Sequence, residues 1–166
     1  MYDELTAIDI KKMEEEIEYR KVILRPQLLE EVKTARAFGD LSENYEYKEA
    51  KRLKNKNEGR IRYLSNMIKT AKIIEDNSSN DTVGLFDKVE CYMDDIDEIM
   101  TVQLATNIRI NVADGIFSKD SPIGRAILGK KVGDKVEIQS PDGSYTVEIR
   151  KITKSSDDGS APILSY

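Results

Sequence analysis

Two long runs of residues at helical spacing limit most strongly what this chain can fold into. In the first run, apolar side chains recur at intervals of three, four or seven residues: Ile10, Met13, Ile17, Leu24, Leu28, Val32 and Ala35. The second run has the same spacing, with one polar member: Tyr47, Ala50, Leu53, Asn57, Ile61, Leu64, Ile68 and Ala71. This spacing places one stripe along each helix. The short connection between the runs predicts that the stripes pack together as an antiparallel coiled-coil hairpin.

Polar residues and a proline interrupt this pattern. Arg20 or Lys21 in the first run and Asn57 in the second weaken the apolar seam. Pro26 removes one helical hydrogen bond, so we expect a kink near it or a split of the first helix. At a rise of 1.5 Å per residue, a helix from residue 10 to residue 38 is roughly 43 Å long. The connection at its end is therefore expected to protrude.

The helical pattern stops at a linker-like stretch, residues 77–81, and short β-type segments follow. Strands are predicted at 83–92, 100–104, 108–112, 136–139 and 145–152. A short helix is predicted where Ser121 can cap, Pro122 suits the first helical position and Gly129 can end the helix in a left-handed conformation. We expect an α+β protein in which the hairpin (1–76) precedes a small antiparallel-sheet domain (82–166). Its last residues, 155–166, are expected to form a loose tail with a short apolar docking point at Ile163 and Leu164.

Composition excludes several classes of protein and site. No apolar run approaches the roughly 20 residues needed to cross a bilayer, and the first residues lack a signal-peptide layout, so we expect a cytoplasmic protein that does not contact membranes. Cys91 is the only cysteine and histidine is absent. An intrachain disulfide and a Cys/His zinc site are therefore excluded. Any bound metal must be held by oxygen.

Charge divides the chain unevenly. Residues 1–75 hold 16 Lys/Arg against 15 Asp/Glu, whereas residues 76–166 hold 10 against 16. Within the first part, residues 48–62 contain seven basic and two acidic residues; the basic ones are Lys48, Lys51, Arg52, Lys54, Lys56, Arg60 and Arg62. This run fits either a stripe that attracts nucleic-acid phosphates or an ordinary solvated helix face. Both interpretations remain open.

An acidic pair lies in the connection between the two helices. Gly39 can end the first helix, Asp40 can cap the second, and Glu43 can complete a capping box three residues later. On spacing alone this local interpretation is favoured. Ser42 and Asn44 are expected to be turn and cap residues and not catalytic ones. The functional alternative is that the connection carries two exposed carboxylates into the active site of another molecule.

Several ordered motifs resemble one protein family. They are Gly-Asp-Leu-Ser-Glu-Asn-Tyr-Glu-Tyr at 39–47, Glu-Gly-Arg-Ile at 58–61, Ser-Pro-Ile-Gly-Arg-Ala at 121–126 and Leu-Gly-Lys-Lys-Val-Gly-Asp at 128–134. Together they resemble the GreA/GreB transcript-cleavage factors of bacteria, most closely the GreA type. The resemblance covers nearly the whole chain. One difference is Tyr45, at a position where this family usually has a small residue.

The resemblance implies a function for both halves. The coiled coil of this family enters the secondary channel of bacterial RNA polymerase, and an FKBP-like C-terminal domain docks at the channel mouth. Asp40 and Glu43 match the acidic pair that helps the polymerase hold a second Mg²⁺ and position the water that attacks backtracked RNA. No cofactor is then expected to bind tightly to the free protein, which would be a monomer and not an enzyme by itself. Lys48, Lys51, Arg52 and Arg60 are the expected contacts to the 3′ end of the RNA.

Two other functions remain open at this stage. Some relatives bind the same channel and inhibit the polymerase, although the presence of both Asp40 and Glu43 argues against that function here. A coiled-coil scaffold without any role at the polymerase is a second alternative.

Overall fold

The protein is described from a computed structural model that covers residues 3–39 and 43–165. The chain divides into two units. The helical unit is centred on Ile10–Ala71, and the sheet unit combines Glu4–Asp9 with residues 72–165.

The helical unit is an antiparallel pair of helices, as predicted. Helix α1 (Ala7–Tyr19) continues through a π-helical segment (Arg20–Leu24) into α2 (Arg25–Arg36), and α3 (Tyr45–Thr70) returns alongside. All the residues of the two predicted stripes are buried or half-buried. The helices run in opposite directions, because Glu16 in α1 bonds to Arg60, whereas Ala35 near the end of α2 bonds to Asn44, just before α3 begins.

A kink or a split was expected at Pro26, and the helix is interrupted there by a π-helical segment. Pro26 lies in the first turn of α2, and the helix widens just before it, so that the N–H group of Arg25 bonds to the carbonyl of Arg20, five residues back. Pro26 has no N–H group to donate and its ring crowds the preceding turn. A π-helical turn relieves this constraint without ending the helix.

The sheet unit contains a two-stranded and a five-stranded sheet. In the first, β1 (Glu4–Leu5) pairs in parallel with β2 (Lys72–Ile73). The second has the order β5-β4-β3-β7-β6. Its strands are β3 (Lys88–Met93), β4 (Glu98–Ala105), β5 (Ile116–Ser118), β6 (Lys135–Ser140) and β7 (Gly143–Thr153). Alternate residues of these strands, such as Val89, Leu104 and Ile149, form the apolar core.

The α+β organisation is confirmed, with two corrections to the sheet. The sheet is mixed and not antiparallel throughout, because β5 runs parallel to β4. The strand predicted at 108–112 is wrong: two 3₁₀ turns, Asn107–Arg109 and Val112–Asp114, lie there instead. Arg109 is fully buried and reaches carboxylates on other segments, a long-range constraint that strand propensity does not contain.

The short helix α4 (Pro122–Ile127) forms as predicted. The Ser121 hydroxyl accepts a hydrogen bond from the N–H group of Gly124 and caps the helix, and Gly129 has a φ of +77° just after its end. Gly124 also permits close packing, since a Cβ atom there would clash with the backbone of Ser118 and Lys119. The helix is therefore specified by its cap, its glycines and its apolar contacts with the sheet.

The C-terminal segment is held at several points, whereas the sequence predicted a loose tail that docks only at Ile163 and Leu164. Arg109 donates to both carboxylate oxygens of Asp157 at 2.5 Å and to the Ala161 carbonyl at 3.0 Å. The N–H group of Leu164 bonds to the Ile108 carbonyl at 2.6 Å. Arg109 also donates to the fully buried Asp9, so one arginine joins three segments of the sheet unit.

The boundary between the units lies earlier than the predicted linker. β2 begins at residue 72 and pairs with β1. Ser78, in the stretch predicted to be a linker, accepts a hydrogen bond from Lys154. These contacts place residues 72–81 in the sheet unit. None of the helices within the described ranges is at once long enough and apolar enough to cross a membrane.

Candidate functional site

The connection between α2 and α3 is closed by Asn44. The Asn44 side chain accepts a hydrogen bond from the N–H group of Tyr47 at 3.0 Å and so caps α3. Its amide nitrogen donates to the carbonyl of Ala35 at 2.7 Å, near the end of α2. Gly39 has a φ of +115°, which favours glycine as the chain leaves the first helix. One side chain therefore satisfies backbone groups at both helix ends.

The expectation that Asn44 is a cap residue is confirmed, and Asn44, in place of the Asp40/Glu43 capping box, caps α3. Glu43 lies one residue before the cap and is exposed. Asp40 and Ser42 lie outside the described residues, so the pairing of the two carboxylates stays a prediction. The position of Glu43 removes the local explanation for that carboxylate, because the start of α3 does not use it.

Two tyrosines behind the connection have different environments. Tyr47 is half-buried on the seam side of α3, as expected for a core position, and Arg36 lies 5.7 Å from its ring centroid. Tyr45 is 79% exposed, and Phe38 is 69% exposed. Phe38 has no predicted role, since an isolated aromatic residue beside a helix end carries no chemical signature in the sequence.

Part of the predicted basic stripe is an accessible surface. Lys48, Lys51, Arg52 and Arg62 are all exposed on the side of α3 opposite the seam. Lys48 lies 5.4 Å from the ring centroid of Tyr45 and Lys51 lies 6.0 Å from that of Tyr47. Within the described residues, neither lysine forms a salt bridge. We call these four residues the basic face.

The charge of Arg52 is partly neutralised. Its guanidinium donates two hydrogen bonds to Glu49, at 2.6 and 2.8 Å. These hydrogen bonds, together with the attraction between the two charges, lower the pKa of Glu49 and raise that of Arg52. Both side chains are exposed, so a phosphate group could displace Glu49 at little cost.

Arg60 is a correction to the candidate RNA contacts. It is only 5% exposed, and its guanidinium bonds to Glu16 across the seam at 2.9 Å. Burial of Glu16 opposes ionisation, but hydrogen bonds and charge from Arg60 and Arg20 outweigh it and lower the Glu16 pKa. Arg60 follows Asn57 by three residues and precedes Leu64 by four. The seam spacing could therefore have identified it as buried.

The remaining chemistry in the described residues is limited. No group of three or more His, Cys, Asp or Glu residues within 3–39 and 43–165 is arranged to hold a metal ion. Cys91 is fully buried in the sheet, and this burial raises the pKa of its thiol to about 11, so it is not an available nucleophile. Exposed carboxylates near the connection, such as Glu43, are oxygen ligands of the kind Mg²⁺ prefers, but they are too few to enclose an ion.

Comparison with known proteins accounts for both units. A family described as "Transcription elongation factor, N-terminal" matches residues 4–73, and "Transcription elongation factor, GreA/GreB, C-term" matches residues 78–154. The curated transcription elongation factor GreA of Bacillus licheniformis is 42% identical over 150 residues, which cover 90% of this chain and 95% of that protein. GreA of Thermoanaerobacter pseudethanolicus is 42% identical over 151 residues, or 90% and 96% of the two chains.

Solved structures give a weaker likeness. GreA factor homolog 1 of Thermus thermophilus is 26% identical with a TM-score of 0.39, covering 93% of this chain and all of that one. The GreA/GreB factor of Nitrosomonas europaea is 19% identical with a TM-score of 0.41, covering 92% and 99%. These TM-scores are too low to support any argument, so the assignment depends on the sequence matches.

Proposed function

The chain belongs to the GreA/GreB family of transcription elongation factors, and we propose that it enters the secondary channel of bacterial RNA polymerase and stimulates cleavage of backtracked RNA. The observation that best supports this proposal is the position of Glu43. Asn44 caps α3 and joins the two helix ends, and the neighbouring Glu43 carboxylate is exposed and forms no hydrogen bond or salt bridge with another described residue.

The carboxylates of Asp40 and Glu43, in the connection between the helices (the tip), supply ligand atoms for a metal ion. Asp40 and Glu43 would bind Mg²⁺ only together with groups of the polymerase and the RNA, because Mg²⁺ usually takes one or two protein carboxylates and keeps several waters. When bound, such an ion lowers the pKa of its water and stabilises the attacking and leaving oxygens of phosphoryl transfer. The contribution of this chain is to hold two negative oxygens at the end of paired helices. The free protein is therefore a cofactor protein and not itself a nuclease.

The basic face is proposed to guide the 3′ end of the RNA. Lys48 and Lys51 are the best candidates, since both are exposed and neither is paired with a carboxylate in the described part of the chain. Arg52 can join them after releasing Glu49. Contacts of this kind recognise phosphates without reading sequence and weaken as salt increases. Arg60 has no part in this contact, because Glu16 and the seam hold it.

The test replaces Asp40 by Asn and Glu43 by Gln in one variant. We expect cleavage of RNA in purified backtracked complexes to fall to the rate of the polymerase alone, because the amides cannot replace carboxylates as Mg²⁺ ligands. The affinity for core polymerase should stay within about twofold of wild type. The matched control is Glu14→Gln with Glu15→Gln, which removes the same number of negative charges from the exposed side of α1.

The outcomes separate the alternatives. Full stimulation by the Asp40/Glu43 variant would refute the role of the tip. A wild-type protein that binds polymerase and slows transcription without stimulating cleavage would be an inhibitor. A wild-type protein that does not bind core polymerase would be a scaffold of another kind.

A further inference from the structure

An open groove runs along one side of the helix pair. It has a volume of about 970 Å³ and lies between α2 and α3. Its apolar lining includes Pro26, Ala35, Ala50 and Leu53, and Phe38 and Tyr45 stand exposed at the end nearest the tip. The volume is that of a ligand site, but the groove is open along its length. Its shape therefore suits an extended or helical segment better than an enclosed small molecule.

The walls of the groove are negatively charged. They carry Glu30 and Glu31 from α2 and Glu46 and Glu49 from α3, and the lining contains no lysine or arginine. Glu49 is paired with Arg52. Glu30, Glu31 and Glu46 form no salt bridge with any residue in the described ranges. We call this groove, with its apolar floor and four glutamates, the acidic groove.

We infer that the acidic groove docks a basic amphipathic segment of RNA polymerase, an inference that rests on the proposed function. Apolar side chains of such a segment would cover the floor and pack against Phe38 and Tyr45, while its lysines or arginines would meet the glutamates of the walls. Exposed aromatic residues and partly desolvated charges are typical anchors of protein interfaces. The complementary charge selects the partner and its orientation more than it adds affinity.

Charge argues against RNA as the occupant. Phosphates would be repelled by the four glutamates. The residues suited to phosphates, Lys48 and Lys51, lie on the basic face of the same helix, away from the groove. A second copy of this chain is also disfavoured, because its basic face offers few exposed apolar side chains to cover the floor.

The two faces of α3 would together set the rotation of the hairpin about its axis. A polymerase segment bound in the acidic groove would hold one side, which leaves the basic face free to meet RNA. Loss of this docking should weaken engagement with the polymerase without removing the chemistry of the tip.

The experiment compares two charge-reversed variants of the full chain. Glu30→Lys with Glu31→Lys changes the α2 wall of the groove, and Glu14→Lys with Glu15→Lys is the matched control of equal charge and exposure on α1. Binding to core polymerase is measured by fluorescence anisotropy, and cleavage is measured as a function of factor concentration. Circular dichroism melts of both variants verify folding.

We expect the groove variant to bind core polymerase at least about tenfold more weakly. Its half-saturating concentration in cleavage should rise by the same factor, and its maximal cleavage rate should match wild type. The control variant should stay within about twofold of wild type in both measurements.

Every other outcome overturns the inference. Wild-type binding by the groove variant would refute the groove alone, and equal weakening of both variants would indicate a general charge effect. Crosslinking of the protein to RNA tests the RNA alternative: if the groove variant lost only this crosslink, RNA would be the occupant. Sedimentation tests the dimer alternative: a wild-type dimer that the groove variant does not form would identify a second copy as the occupant. Failure of the wild-type protein itself to bind polymerase would remove the proposed function as well.

Discussion

The two units bury charge in different ways. In the helical unit, Glu16 accepts hydrogen bonds from Arg20 and Arg60 while 22% of its side chain stays exposed. In the sheet unit, Arg109 and Asp9 are both completely buried. A charged group that stays in contact with water has a small desolvation cost, and removing its partner destabilises the fold little. A fully buried charged group has a large desolvation cost, which only its partners offset. The comparison predicts where each unit is fragile.

The polar layer in the helical unit has a role in alignment. Asn57 accepts a hydrogen bond from the Arg20 side chain at 3.0 Å and donates to the Arg20 carbonyl at 3.2 Å. Arg25 and Glu58 form a paired contact a little further along. Polar groups in a coiled-coil seam favour one register, since any shift leaves them unpaired. The register of the two helices also sets where the connection that carries Glu43 lies.

The buried arginine of the sheet unit gives the largest expected effect. Arg109→Met removes the cationic partner of Asp9 and Asp157 and should lower the free energy of unfolding of the sheet unit by about 3–5 kcal/mol. The fully buried Asp9 would keep the hydrogen bonds from Thr6 and Thr106 but would lose its ion pair. Hydrogen exchange of the Val147 and Ile149 amides in β7 measures this loss. Loss of protection should be larger there than at Ile61 and Leu64 in α3.

The control for that substitution is an exposed arginine on β7 of the same unit. Arg150 pairs with Glu148, and its side chain is 46% exposed. Arg150→Met should cost less than about 1 kcal/mol. Equal losses for Arg109→Met and Arg150→Met would show that burial does not decide the strength of these pairs, and the comparison between the units would fail.

The corresponding arginine of the hairpin gives a smaller effect. Arg60→Met should lower the stability of the helical unit by about 2 kcal/mol, since a charged hydrogen bond is lost while Glu16 keeps Arg20 and some water. Arg62→Met, two residues away on the exposed side, is the control and should change stability by less than about 0.5 kcal/mol. Exchange of the Ile61 and Leu64 amides reports both. A loss as large as that of Arg109→Met would contradict the distinction.

Elements specified by nearby residues were predictable from the sequence. The two stripes, the Ser121 cap and the left-handed Gly129 depend on spacing and local geometry, and the structure confirms them. Periodicity places side chains on faces because helix geometry is regular. The exposure of Lys48 and Lys51 follows from the same rule.

Elements that depend on distant partners were not predictable in this way. The segment 108–112 has strand propensity, but Arg109 bonds to Asp9, 100 residues away, and the local chain turns to allow it. The ordering of residues 157–164 has the same origin. At the candidate site, Arg60 was grouped with the basic run by its charge alone. Its position on the helix, next to the seam, was not considered. The relation of Asp40 to Glu43 is not settled by spacing, and the tip chemistry stays a prediction.

The smallest expected effect is a loss of stability of the helical unit at low pH, caused by protonation of Glu16. Arg60 and Arg20 hold the folded-state pKa of Glu16 below its ordinary 4.5 despite burial. The stabilisation is therefore fully present above about pH 4.5 and is lost as the pH falls through the lower, folded-state pKa. Its size should be less than about 1 kcal/mol, because the partly exposed pair is screened. Protection of the Ile61 amide, followed from pH 6 to pH 3.5, should fall less steeply in Glu16→Gln than in wild type, whereas Glu14→Gln, at an exposed position, should follow wild type. Parallel curves for wild type and Glu16→Gln would mean that the ion pair contributes nothing, and register would then depend on Asn57 and the apolar seam alone.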